Sequence, residues 1–244
     1  MGPLHGVKII EMAGIGPGQF CGMLLADLGA EVLRLERPGS GPSGFDIPDE
    51  FNLMNRGRSK LEIDLKSAAG RELVLELCAS ADALFEGFRP GVMERLGLGP
   101  DDCMARNPAL VYGRMTGWGQ DGPLAPRAGH DANYVALSGF MSLLAGADGE
   151  PLYPPLVAGD LAGGGAYLAI GLLAAILETS RSGVGQVVDA AIVDDLEAEI
   201  AGEQERRAEL QAEVATLESP ARILREAQSR LGMAPASGRT YLAP

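Results

Sequence analysis

The feature that most restricts the fold is a regular alternation of short apolar segments, glycine-rich turns and helical segments in the first half of the chain. Residues 7–12 predict a strand, residues 14–18 a glycine-rich turn, residues 19–28 an apolar helix and residues 31–36 a second strand. The same pattern continues with strands at 61–65, 83–86 and 110–115 and helices at 67–79, 90–97 and 101–107. Strands that alternate with helices form a mostly parallel sheet covered on both faces. The sequence therefore predicts a doubly wound, Rossmann-like α/β domain.

The first turn is similar to a dinucleotide-binding fingerprint, including the acidic Glu36 about twenty residues further on. The glycine spacing is Gly-x-Gly-x-Gly, which departs from the fingerprint. Pro17 also removes a backbone N–H that a pyrophosphate would need. These departures argue against a nicotinamide cofactor.

The charge balance excludes some partners. A formal net charge of −13 argues against general binding to nucleic acid or to anionic membranes, because such binding needs clustered Lys and Arg. Arg37, Lys66 and Arg89 each follow a predicted strand, at the edge of the sheet where ligands of such folds bind. We expect them to form a basic rim for a nucleotide or pyrophosphate; the alternative is that each is a solvated surface charge.

Two residues are candidates for proton transfer. His130 is one of two histidines, and imidazole exchanges protons near neutral pH. Asp160 opens an apolar helical segment, where the helix dipole favours a carboxylate. A His and an Asp on opposite sides of one carbon suit proton abstraction next to a carbonyl. The alternatives are a structural histidine and a helix N-cap.

Other signals indicate a cytoplasmic protein. The three cysteines, Cys21, Cys78 and Cys103, are sparse and lack metal-ligand spacing, which is typical of buried thiols in a reducing compartment. The N-terminus shows no signal peptide or myristoylation pattern. The longest apolar run, residues 163–177, is shorter than the roughly 20 residues of a membrane span, so we expect a buried helix.

Residues 3–194 resemble the N-terminal part of the alpha-methylacyl-CoA racemases, in the class III (CaiB/BaiF) CoA-transferase superfamily. The matching motifs are Glu11-Met12-Ala13-Gly14-Ile15-Gly16-Pro17-Gly18, Arg34-Leu35-Glu36-Arg37-Pro38, Ile63-Asp64-Leu65-Lys66, Glu86-Gly87-Phe88-Arg89-Pro90-Gly91, Arg95-Leu96-Gly97-Leu98-Gly99-Pro100, Arg114-Met115-Thr116-Gly117-Trp118-Gly119-Gln120, Gly129-His130-Asp131 and Gly185-Gln186-Val187-Val188-Asp189-Ala190-Ala191.

The resemblance implies epimerisation, by 1,1-proton transfer at the α-carbon of a 2-methylacyl-CoA, with His130 and Asp160 as the catalytic pair. In the related transferases the aspartate matched by Asp131 is the acyl-carrying nucleophile, which gives an alternative activity. The coenzyme A thioester is the substrate, no tightly bound cofactor is implied, and the family forms dimers. The implied CoA-binding residues are Arg37, Ile63, Asp64, Leu65, Lys66, Gly87, Phe88, Arg89, Arg95, Gly129, His130, Asp131, Ala132, Asn133 and Tyr134.

The resemblance ends near Asp194, and the family's second half, which supplies a glutamate supporting the histidine, does not follow. The sequence leaves open an active enzyme and an inactive acyl-CoA-handling domain. Residues 195–218 follow heptad spacing and predict a coiled-coil helix, and residues 219–244 predict a short helix and a loose tail. The tail weakly resembles FtsL/DivIC-type division proteins. A non-enzymatic assembly or interaction protein, bound to a coiled-coil partner, is therefore the third alternative.

Overall fold

The computed structural model describes residues 2–39, 51–144, 146, 149–153, 157–194 and 206. The chain divides into two compact units, Met1–Ala198 and Glu199–Pro244. The predicted coiled coil at 195–218 and the tail at 219–244 lie outside the described residues, apart from Arg206.

The first unit is built on a six-stranded sheet in which all five pairings are parallel. The strand order is β3-β2-β1-β4-β5-β6. This confirms the predicted α/β class with a mostly parallel sheet. The strands are β1 (Lys8–Met12), β2 (Glu31–Glu36), β3 (Ser59–Glu62), β4 (Ala83–Glu86), β5 (Val111–Thr116) and β6 (Val187–Ala191).

In the part of the chain that the structure describes, six α-helices accompany the strands. Ser67 caps the second of them, because its hydroxyl accepts a hydrogen bond from the N–H of Gly70 at 2.9 Å. Pro17 begins the first helix, where its missing N–H has no intrahelical partner to lose. The helices are α1 (Pro17–Asp27), α2 (Ala68–Cys78), α3 (Val92–Leu96), α4 (Pro100–Arg106), α5 (Asp131–Leu137) and α6 (Tyr167–Ser182).

A π-helical segment, Val157–Ala166, runs directly into α6. The combined helix has 26 residues and a mean hydropathy of 1.7, so by length and composition alone it is long and apolar enough to cross a membrane. The helix extends beyond the apolar run of residues 163–177 at both ends, and one such helix does not by itself indicate a membrane span. The helix packs against β5 and β6 and buries Leu168, Leu172 and Ala175, as a core helix does.

Alternate residues of the central strands supply two apolar cores, one on each face of the sheet. Ile9 and Phe85 pack with Leu25, Leu168 and Leu172 on one face. On the opposite face the core contains Ile10, Leu84, Val74, Leu98 and Tyr112. The strand order reverses direction between β1 and β4, and in open α/β sheets the loops that follow such a pair of strands enclose a ligand crevice.

Candidate active site

A cleft of about 370 Å³ lies at this reversal of strand order. Its floor and walls come from the loops after β1, β4 and β5, from the segment that enters α5, and from the π-helical segment. Both His130 and Asp160 line it. The other lining residues are Met12, Gly14, Ile15, Pro17, Gly18, Gly87, Phe88, Arg89, Pro90, Met115, Thr116, Gly117, Trp118, Ala125, Arg127, Ala128, Gly129, Tyr134 and Ile192.

Asp160 lies in the first turn of the π-helical segment and is half-buried. The glycine-rich turn before α1 contacts it closely: a Cβ on Gly16, whose φ is +67°, would lie only 2.7 Å from the Asp160 Oδ2. Burial, followed by the charge of Asp131, raises the pKa of Asp160 to about 6, while His130 acts in the opposite direction. Near neutral pH this carboxyl group is therefore able to exist in both protonation states.

His130 is exposed and occupies the N-cap position of α5. Its backbone N–H donates to the Asn133 Oδ1 at 3.0 Å, which fixes the start of the helix. Its imidazole lines the cleft and acts electrostatically on Asp160. The ring is thus available to a ligand in the cleft.

Tyr134 and Trp118 form one wall of the cleft. Their ring centroids are 4.7 Å apart in an edge-to-face arrangement with an interplanar angle of 72°. Gly117 and Gly129 lie against the tyrosine ring, where a Cβ at either position would collide with it. Burial, followed by the charge of Asp160, raises the pKa of Tyr134 to about 12, so its hydroxyl stays protonated at neutral pH.

Asp131 is 2% exposed and does not line the cleft. Its Oδ1 accepts a hydrogen bond from the backbone N–H of Asp160 at 2.6 Å. Gly159 completes this junction, because a Cβ there would collide with the same carboxylate oxygen. The segment that carries Asp160 is thereby fastened to the start of α5.

The cleft gathers part of the expected CoA-binding set: Gly87, Phe88, Arg89, Gly129, His130 and Tyr134 all line it. Ala132 and Asn133 lie just beyond it, on α5. Arg95 also lies outside, with its guanidinium 3.1 Å from the Cβ position of Gly91. Arg37 and residues 63–66 follow β2 and β3, at the far side of the sheet, and do not line the cleft. Of the three predicted rim cations, the cleft therefore includes Arg89 alone.

Arg127, which no sequence motif singled out, also lines the cleft. Its position three residues before His130 was the available signal. Among the described residues no cluster of His, Cys, Asp and Glu is suited to holding a metal ion. Arg89 and Arg127 are thus the cationic groups that the cleft offers to an anionic ligand.

A buried ionic cluster beneath the first turn was also not predicted. Glu11 is fully buried and pairs with Arg34 and Arg58. Arg34 donates through Nη2 to the carbonyl oxygen of Gly14 at 3.2 Å. Arg58 donates to the carbonyl of Met54, which anchors the segment before β3. The cluster holds in place the turn that contacts Asp160.

Glu86 organises the loop after β4 in a similar way. Its Oε2 accepts the N–H of Phe88 at 2.7 Å, and its Oε1 lies 3.5 Å from the Arg114 Nε. Burial is the main reason that the pKa of Glu86 is raised to about 7. The loop that presents Phe88 and Arg89 is thus fixed from below by a buried carboxyl group.

Comparison with known proteins places these features in context. The profile of CoA-transferase family III matches residues 4–220, which extends past Asp194. The chain is 46% identical over 192 residues to alpha-methylacyl-CoA racemase of Mus musculus, an alignment that covers 78% of this chain and 48% of the relative. It is 37% identical over 198 residues to succinyl-CoA:glutarate CoA-transferase of Mus musculus, with 78% and 45% covered.

A solved structure shows the same architecture. The crystal structure of a CAIB/BAIF family protein from Brucella suis matches with a TM-score of 0.74 at 33% identity. The match covers 90% of this chain and 59% of that chain. The chain spans about half the length of the curated relatives it matches.

Proposed function

The chain belongs to CoA-transferase family III, and from this premise we propose that it epimerises 2-methylacyl-CoA thioesters by 1,1-proton transfer at the α-carbon. The observation that carries the proposal is that an imidazole and a carboxyl group, His130 and Asp160, line one cleft. The resemblance to a racemase at 46% identity supports the same reaction.

The mechanism divides the proton transfer between the two groups. One group removes the α-proton from one face of the thioester, and the other returns a proton to the opposite face. The intermediate is an enolate, whose oxygen carries negative charge. Pro17 and Gly18, in the first turn of α1, line the cleft, so the positive end of this helix dipole would stabilise an enolate oxygen bound there.

Reversible epimerisation requires that each group act as acid in one direction and as base in the other. The raised pKa of Asp160, about 6, suits this requirement because little free energy separates its two forms near neutrality. An aspartate with an ordinary pKa near 3.9 would be a poor acid at that pH.

The test is exchange of the α-proton of a 2-methylacyl-CoA in deuterated water, followed by mass spectrometry. We expect the wild-type chain to incorporate deuterium at the α-carbon. Binding of the thioester without exchange would reject proton transfer and leave a domain that binds acyl-CoA without chemistry.

A second candidate is CoA transfer, which the likeness to a succinyl-CoA:glutarate CoA-transferase supports. In this reaction the Asp131 carboxylate would attack the thioester carbonyl, form an acyl anhydride and release CoA as a thiolate. The burial of Asp131 and its hydrogen bond to Asp160 weigh against this role. Intact-mass detection of an acyl group on Asp131 after mixing with the thioester would favour transfer.

A third candidate is a non-enzymatic role in assembly, based on the heptad pattern of residues 195–218. Under this proposal the chain forms a homo-oligomer or binds a coiled-coil partner in the cytoplasm. Leu210→Glu, which places a charge on the apolar seam, should then abolish association measured by sedimentation. Unchanged association would reject the coiled coil.

A further inference from the structure

We propose that Asp131 is a positioning residue, which holds Asp160 at the reacting carbon through its backbone N–H, rather than an acyl-carrying nucleophile. The inference rests on the proposed function for its catalytic meaning. The effect of Asp131 on the titration of the Asp160 carboxyl group can be measured without turnover.

The geometry provides the first argument. The Asp131 Oδ1 accepts the backbone N–H of Asp160 at 2.6 Å, so the carboxylate fixes the main chain of the residue that carries the acid or base. This is a charge-assisted hydrogen bond in a buried position, which is stronger than a bond between neutral groups. A Cβ on Gly159 would collide with Oδ1, so only glycine permits this approach without a shift.

Burial provides the second argument. Asp131 is 2% exposed, and the cleft that contains His130 and Asp160 does not include it. A nucleophile must reach the thioester carbonyl. A buried carboxylate that accepts a hydrogen bond from a backbone N–H is poorly placed for this. His130, the preceding residue, is exposed to the cleft instead.

The charges around Asp160 provide the third argument. Asp131 and His130 act on it from the start of α5. The charge of Asp160 in turn raises the pKa of Tyr134, which lies on the same helix. The turn before α1, with Gly16 and Pro17, contributes no titratable side chain. After burial, the nearby negative charge of Asp131 is the largest influence that keeps Asp160 partly protonated near neutral pH.

Two substitutions separate the hydrogen bond from the charge. Asp131→Asn keeps an oxygen acceptor for the N–H of Asp160 and removes the negative charge, whereas Asp131→Ala removes both. The measurement is the carboxyl ¹³C titration of Asp160 in the full chain, assigned with Asp160→Asn. We expect the pKa of Asp160 to fall in Asp131→Asn, and the exposed Asp101→Asn control on α4 to leave it unchanged.

Deuterium exchange then reports on the role in the reaction. Asp131→Asn should keep exchange within about tenfold of wild type and move the acidic limb of its pH profile to lower pH. Asp131→Ala should lose about 10²-fold or more, as expected when an acid or base is displaced. An unchanged pKa of Asp160 in Asp131→Asn overturns the inference. If wild type shows no exchange, the proposed function fails, and the titration still decides the positioning role.

Discussion

At the scale of single residues, the carboxyl group of Asp160 is controlled by two separate parts of the chain, the turn before α1 and the start of α5. Gly16 approaches its Oδ2, Asp131 binds its backbone N–H, and His130 influences its charge. Each contact restricts either the position or the protonation of one functional group. A preorganised group of this kind is what proton transfer at a carbon acid requires.

The raised pKa of Asp160 has a consequence for stability. Its folded pKa of about 6 lies above the ordinary value near 3.9, so between these pH values the folded chain binds more protons than the unfolded chain. This group therefore makes its whole contribution to the free energy of unfolding at low pH, and the contribution is lost as the pH rises through about 6.

Asp160→Asn removes this loss. The unfolding free energy of the variant minus that of wild type should increase by about 1–3 kcal/mol from pH 4.5 to pH 7.5, after allowance for solvent screening. Urea denaturation of both proteins at the two pH values measures the gain. A difference between the two proteins that stays constant with pH would contradict the raised pKa.

At the scale of secondary structure, the cleft depends on ionic groups that lie beneath its loops. The Glu11 cluster fastens the turn between β1 and α1, and Glu86 fastens the loop after β4. Both sets are buried, where removal of one partner leaves the remaining charges without compensation. The stability of the loops and the shape of the cleft are thus linked.

Removal of the Glu11 carboxylate tests this link. Glu11→Ala leaves Arg34 and Arg58 buried beside each other and should cost about 3–5 kcal/mol of unfolding free energy. The matched control is Asp27→Ala, which breaks an exposed pair with Arg56 and should cost less than about 1 kcal/mol. Equal losses in urea denaturation would contradict the role of burial.

Sequence patterns predicted the elements whose signals are local. The strands at Glu31–Glu36 and Ala83–Glu86 have the predicted bounds, because each is an apolar run between turn residues. The predicted strand at 61–65 instead forms at Ser59–Glu62, since its pairing with β2 sets its register. The sequence patterns did not predict α5, which is short, or β6, which pairs with β5.

Features that depend on packing had no such signal. The π-helical segment lies against α1, where Gly164 and Gly165 allow Pro17 and Phe20 to approach. This contact is not a property of either segment alone. Arg58 follows Gly57 and another arginine, so its sequence context resembles a solvated loop, although its side chain is fully buried. Within the site, the sequence indicated His130 and Asp160 but could not show that one cleft includes both.

At the scale of the whole molecule, charge is the main constraint on binding of the proposed CoA ligand. The net charge of −13 repels an anionic substrate, so binding depends on local cations. Arg89 and Arg127 supply positive charge at the cleft. Association with CoA should therefore weaken as ionic strength rises.

Arg127→Ala should weaken CoA binding by roughly three- to tenfold, equivalent to about 1 kcal/mol for an exposed charge contact. The control is Arg181→Ala, in the last turn of α6 and outside the cleft. Titration calorimetry with free CoA at two salt concentrations measures both variants. Equal affinities for the two variants would place the anionic part of CoA away from Arg127.

The proposed reaction requires that His130 and Asp160 act from opposite faces of one carbon, and stereospecific exchange of the α-proton tests this requirement. Pure enantiomers of a 2-methylacyl-CoA are incubated in deuterated water with His130→Ala or Asp160→Ala, and deuterium at the α-carbon is measured. We predict that each variant exchanges one enantiomer only, and that the two variants select opposite enantiomers. Exchange of the same enantiomer by both variants would contradict the proposed reaction.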